Sequence, residues 1–182
     1  MKILFLGDVV GSSGCKKITN DLSSQIKKNN IDFVIINAEN ADDTGVGLTK
    51  EICKDFFDNG VNVITTGNHV WDQKDIMNFI DNENRLLRPK NLFEPAPGKG
   101  FEIYTSKNGF KVGVLNLMGN VFMKKCDDVF KVADKFIQKY KLKEQYDFLI
   151  VDFHGEITSE KNAAGHFFDG LATCVVGTHT HI

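Results

Sequence analysis

Residues 2–14, KILFLGDVVGSSG, begin with a short apolar run that breaks at Gly7-Asp8 and gives way to a polar segment of helical spacing. A secretory leader would carry a longer, unbroken apolar stretch, so this segment reads as a buried first strand entering a helix over 14–29. The same order recurs twice. FVIIN (33–37) precedes a helical pattern over 49–59, and VNVITT (61–66) precedes one over 72–83. Apolar strand runs alternating with helices predict βαβ units and a parallel sheet. RPKNLFEPAPGKG (88–100) holds all three prolines and reads as a loop. After it the pattern changes, because FEIYTSKNGFKVGVLNL (101–117) carries two alternating runs around Asn108-Gly109, the composition of a hairpin with a primed turn. A helix near 126–142, the run FLIVDF (148–153), a helix near 159–168 and the run CVVG (174–177) follow. The expectation is an α/β chain in one domain over 1–182, with an antiparallel portion added to parallel strands.

Composition narrows the function classes. The chain has 182 residues, 42% of them hydrophobic, which suffices for a sizeable core. Basic and acidic residues number 22 and 24, are interspersed and leave a net charge of −2, so no basic stripe marks a partner such as duplex nucleic acid or an anionic membrane. No apolar run reaches the length of a membrane span. The four cysteines are scattered without Cys-x-x-Cys spacing, and several sit in apolar patterns, which suggests reduced core thiols and a cytoplasmic setting.

In open α/β sheets, ligands gather beyond the carboxyl ends of the strands. The residues there form a consistent set: Asp8, then Glu39 and Asn40, Asn68 and His69, His154, and finally His179 and His181. Four of the five histidines fall at such ends, and only His166 sits in a helical pattern. Singly, each has a structural explanation. Asp8 could cap a helix, Asn40 and Asn68 could serve turns, and a lone histidine is commonly satisfied within the fold. Together they offer carboxylates, imidazoles and amide oxygens without a thiolate, a donor set suited to Mn, Fe, Co or Zn. One tetrahedral zinc cannot use so many ligands, whereas a two-metal centre bridged by Glu39 can. Such a centre stays electropositive and favours phosphoesters. Arg85 and Arg88 could reach a phosphate, although a solvated helix end is the more common role of such residues. GSSG (11–14) lacks the Lys-Ser/Thr of a P-loop and reads as a tight turn into the first helix. Trp71, beside His69, could offer a base-stacking surface.

The motifs GDVVG (7–11), NAEN (37–40), GNHVWD (67–72), DFHGE (152–156) and GTHTH (177–181) resemble, in order and spacing, the signature of the calcineurin-like metallophosphoesterases. Val10 stands where that signature usually has histidine, and Glu39-Asn40 where an aspartate usually bridges. Those departures, with TSEK (158–161) and PGKG (97–100), are similar to the YmdB-like bacterial phosphodiesterase branch. The resemblance implies a layered α/β sandwich of mixed sheets flanked by helices. It also implies that Asp8, Glu39, Asn40 and His181 hold a first metal ion and Glu39, Asn68, His154 and His179 a second. His69 is left unliganded as a proton donor or a positive partner for the phosphoryl group, or else orients a ligand. The implied reaction is hydrolysis of a small phosphodiester, a cyclic nucleotide or a short RNA-derived diester, by a metal-bridging hydroxide. A phosphomonoesterase and a non-catalytic, nucleotide-binding regulatory module are the alternatives. Members of that branch continue past the His-x-His motif, so the resemblance implies missing C-terminal strands, an open sheet edge prone to homo-oligomerisation, and a His181 placed where chain ends fray.

Overall fold

The computed structural model describes residues 1–93 and 95–180. Its first half runs β1 (Ile3–Leu6), α1 (Gly11–Asn29), β2 (Phe33–Asn37), α2 (Lys50–Asp58), β3 (Val63–Thr65) and β4 (Leu86–Leu87). These strands form one parallel sheet in the order β1-β2-β3-β4. The second half runs β5 (Phe101–Thr105), β6 (Lys111–Met118), α3 (Val129–Lys139), β7 (Phe148–Gly155), α4 (Thr158–Phe167) and β8 (Cys174–His179). Here the order is β5-β6-β7-β8, with β5 antiparallel to β6 and the other neighbours parallel.

Because side chains alternate across a strand, each sheet presents two faces. Val34, Ile36 and Ile64 pack with Leu22, Cys53 and Phe56 of α1 and α2. Leu115, Leu117, Leu149 and Val151 pack with Val129, Ala133, Phe136 and Ala164 of α3 and α4. The remaining faces meet each other, Phe33, Ile35, Val63 and Leu87 against Val112, Val114 and Ile150. The architecture is therefore helices, sheet, sheet, helices, the mixed α/β sandwich expected. Two helices begin on side-chain caps: Thr49 Oγ1 accepts the Ile52 N–H at 3.3 Å, and Asp128 Oδ1 accepts those of Phe130 and Lys131.

Several local expectations need correction. Residues 72–83 form no α-helix but two 3-10 turns, Lys74–Asn78 and Ile80–Asn82. Ile76, Phe79 and Ile80 keep a helix-like apolar spacing and are buried. However, Asp75 is diverted to accept the Lys50 N–H of α2, and Gln73 supplies no side-chain cap. The strand Leu86–Leu87 is too short to carry a period. GSSG is the first turn of α1 itself, entered through Gly11 at φ 59°. At the hairpin, Ser106 N–H bonds Phe110 and Gly109 N–H bonds Ser106, and Gly109 alone of the loop has positive φ. Either primed turn around Asn108-Gly109 needs positive φ at Asn108, which has none, so this is the longer, glycine-closed loop. Arg88 is neither solvated nor free for phosphate: it is 4% exposed, and its guanidinium donates to the carbonyls of Pro89, Lys90, Ala96 and Pro97, organising the proline-rich loop. Arg85 pairs with Glu83 and lies over the Phe57 ring. All four cysteines are free; Cys53 is buried and Cys174 exposed. No helix among the described residues is long and apolar enough to cross a membrane.

Candidate metal centre

Toward the carboxyl ends of the strands, the apolar contact between the sheets gives way to a polar seam. Asn37 and Thr65 from one sheet, and Asn116, Asp152 and Thr178 from the other, are all 0% exposed. Asp152 accepts from Thr178 Oγ1 at 2.6 Å, Thr65 Oγ1 at 2.5 Å and Asn37 Nδ2 at 2.9 Å. Burial is the largest influence on this carboxyl and pushes its pKa up, against the pull of His154 and the three donors.

That seam orients His154. A threonine hydroxyl has one proton, and Thr178 commits it to Asp152. Its oxygen is left to accept from His154 Nδ1, 2.9 Å away. Nε2 is then the ring nitrogen turned outward, toward the mouth of the site. Facing Nε2 are Glu39 Oε1 at 2.9 Å and Asn68 Oδ1 at 3.0 Å, both acceptors. Two acceptor oxygens converging on one ring nitrogen mark a place for positive charge, a proton shared there or a metal ion in its stead.

Other groups complete the set. His179 Nδ1 lies 3.9 Å from Glu39 Oε1, and Glu39, His154 and His179 offer ligand atoms within 4.8 Å of one another. Burial is the strongest single influence on Glu39 and disfavours its charge. Contacts with His154, His179 and the His69 N–H together outweigh it and hold the carboxyl well below the usual carboxylate range. The His179 pKa is raised, first by Glu39, against burial, and then by Glu156 Oε2 at 2.8 Å from its Nε2. Asp8 accepts the His179 N–H on both oxygens, at 3.0 and 3.2 Å. Asp8 (φ 44°) and His179 (φ 84°) both adopt left-handed backbone, a strained conformation that clusters at functional sites. Asn40 Nδ2 approaches Glu39 Oε1 at 3.4 Å, while Asn40 Oδ1 is buried without a hydrogen-bond partner among the described residues. A buried acceptor is seldom left so, and a cation would satisfy it. Gly67 leaves room for the arrangement: a Cβ there would lie 2.2 Å from His154 Nε2 and 2.4 Å from Glu39 Oε2. The donors and their geometry fit divalent ions of the kind that the sequence suggests.

His69 stands beside this set. Its N–H donates to Glu39 Oε2 at 3.0 Å, and its Nδ1 meets Asp72 Oδ2 at 2.6 Å. Burial acts most strongly on Asp72, but His69 and Lys124, the latter 3.1 Å from Oδ1, bring its pKa below the usual range.

The structure thus gathers Asp8, Glu39, Asn40, Asn68, His69, His154 and His179 at one end of the sandwich, whereas His181 lies outside the described residues. Asp8 does not cap α1, whose N-cap is Val10 with no side-chain bond. Thr180 fastens the His-x-His arm, accepting from Lys161 Nζ at 2.6 Å and donating to the Glu156 carbonyl at 3.0 Å. Sequence reasoning missed Asn37, Asp72, Asp152, Glu156 and Thr178. Asn37 and Asp152 left a signal, each being a polar residue within an apolar strand run.

The YmdB-like protein family model matches residues 4–182. The chain is 45% identical over 182 residues to a Bacillus subtilis (strain 168) protein named 2′,3′-cyclic-nucleotide 2′-phosphodiesterase, covering 100% of this chain and 67% of that protein. Among solved structures, a hypothetical protein from Thermus thermophilus superposes with a TM-score of 0.90 at 35% identity, covering 100% of this chain and 69% of the other. A structure described as a novel phosphatase from Mycoplasma pneumoniae gives 0.89 at 39% identity, covering 100% and 65%. The chain spans about two thirds of the length of the relatives it matches.

Proposed function

Because the chain belongs to the YmdB-like family, we propose that it is a divalent-metal-dependent phosphodiesterase acting on a small phosphodiester, with 2′,3′-cyclic nucleotides as the first class to test. The observation that carries this reading is the convergence of Glu39 Oε1 and Asn68 Oδ1 on His154 Nε2, with the orphaned Asn40 Oδ1 alongside. Asp8, Glu39 and Asn40, with His181, would hold one ion. Glu39, Asn68, His154 and His179 would hold the other, Fe, Mn, Zn and Co being the candidates. Bound there, the ions supply positive charge to the phosphoryl oxygens and lower the pKa of a coordinated water.

The chain's own side chains do the rest. Asp152 and Thr178 keep His154 Nε2 aimed at the site. Glu39 carries its charge despite burial. His69 has its Nδ1 engaged by Asp72, so Nε2 is the atom left to carry a proton to the leaving oxygen. Opening a cyclic phosphodiester expels a ribose oxygen that needs such a proton.

The direct test is hydrolysis of 2′,3′-cyclic AMP and of p-nitrophenyl phosphate by protein loaded with Mn and then stripped with chelator. Faster diester than monoester hydrolysis, lost on stripping and restored by Mn, is the expected result. Preference for the monoester would favour a phosphomonoesterase, the reading suggested by the description of the Mycoplasma pneumoniae structure. Metal-loaded protein that binds nucleotide without hydrolysing either ester would make it a binding module.

A further inference from the structure

The segment between β6 and α3 is strapped to the candidate centre at both ends. The Gly119 N–H donates to the carbonyl of His154 at 2.8 Å. The next two N–H groups, of Asn120 and Val121, donate to the Glu160 carboxylate at 2.8 and 3.3 Å. Farther along, Lys124 Nζ meets Asp72, the same carboxylate that holds His69. The Asn120 side chain closes the base of the loop, donating to the Asp127 carbonyl at 3.0 Å and accepting the Val129 N–H at 2.9 Å.

Phe122 lies between these straps. Consecutive Cα atoms are about 3.8 Å apart, so its Cα is at most about 12 Å from that of Gly119 and about 8 Å from that of Lys124. The residue therefore belongs to the loop that joins the His154 strand to Asp72, on the side of the sandwich where the centre is gathered. It is 86% exposed, more than any other large hydrophobic side chain among the described residues. Its φ is 60°, a left-handed conformation that a bulky residue adopts only at a cost. Exposure and strain are both unfavourable, and here they coincide in a loop tied down on either side. The neighbouring Met123 packs into the core beneath the first sheet's helices, as does Trp71. Trp71, the stacking candidate of the sequence, is thus partly consumed by packing, and Phe122 is the loop aromatic displayed to solvent.

We propose that Phe122 is a stacking platform for the base of a nucleotide whose phosphate occupies the metal centre. This rests on the phosphodiesterase reading above and names its substrate class as nucleoside phosphodiesters. Stacking on a π face tolerates any base, so the platform confers selection for nucleosides over base-free esters without strong selection among bases.

The test compares Mn-loaded wild type, Phe122→Ala, Phe122→Trp and Phe122→Gly on 2′,3′-cyclic AMP and on glycerol 1,2-cyclic phosphate, a cyclic diester with no base. Calorimetric titration with 3′-AMP and with inorganic phosphate accompanies it. In Phe122→Ala, KM for the cyclic nucleotide is expected to rise roughly 5- to 100-fold relative to that for the base-free ester. Affinity for 3′-AMP falls by a similar factor relative to phosphate, and Phe122→Trp restores both. Phe122→Gly relieves the left-handed strain, so it melts higher than wild type while losing the same affinity for 3′-AMP. A purely structural Phe122 predicts lower melting with no divergence between ligands. Equal effects on both esters, or none, overturn the platform. If wild type hydrolyses neither diester, the phosphodiesterase reading fails, and the 3′-AMP and phosphate titrations still decide the platform.

Discussion

Asp152 touches no group at the mouth of the centre, yet three buried donors point at it and one of them, Thr178, in turn accepts from His154 Nδ1. Thr178→Val keeps the shape and removes the acceptor for His154 Nδ1, so metal affinity should fall roughly 10- to 100-fold by competition with a chelator. Thr178→Ser should restore most of it. His69 carries a different burden, since its contacts are to Glu39 and Asp72 and it is not needed as a ligand. His69→Ala is therefore expected to lower turnover by about 100-fold or more while metal content per chain stays near the wild-type value. Unchanged turnover would end its proposed role. The raised pKa of His179 adds a pH dependence in the metal-free protein. A histidine stabilised in its charged form by Glu39 and Glu156 contributes fully below its unfolded value, about 6.5, and loses that contribution as pH rises through its folded pKa. The melting temperature of metal-free protein should fall as pH rises from about 6.5 toward the raised folded pKa, and His179→Gln should flatten the fall.

The elements show what was legible in the sequence and what was not. FVIIN, VNVITT and FLIVDF announce buried parallel strands, and the polar residues at or beyond their ends mark the site, because strand periodicity and the end-of-strand position are local properties. The two 3-10 turns over 74–82 were not legible, because their spacing is helical and the competing use of Asp75 as a cap for α2 is a tertiary fact. Nor was the role of Arg88, whose four carbonyl partners come together only once the proline-rich loop has folded around it. The pairing of Thr178 with Asp152 joins adjacent strands, and that of Asn37 with Asp152 joins two sheets, so neither had a sequence signature. Arg88→Met takes the guanidinium donor from four carbonyls, one buried and three partly buried. It should destabilise the protein by more than about 2 kcal/mol in urea denaturation, with metal stoichiometry in the folded protein unaffected.

At the scale of the whole molecule, the two sheets meet through apolar side chains along most of their length and through polar ones at a single end. Asp8, Glu39, Asn40 and Asn68 belong to the first sheet and its connections, and His154 and His179 to the second. The candidate centre is assembled by the packing of one sheet on the other, and neither half of the chain contains it alone. If the assembled site is a two-metal phosphodiesterase centre, titrating metal-free protein with Mn while following 2′,3′-cyclic AMP hydrolysis gives a defined outcome. Turnover should be absent without metal and should saturate at two equivalents per chain. Hydrolysis that is indifferent to metal, or a fully loaded centre that leaves the diester intact, would show that the site is not such a centre.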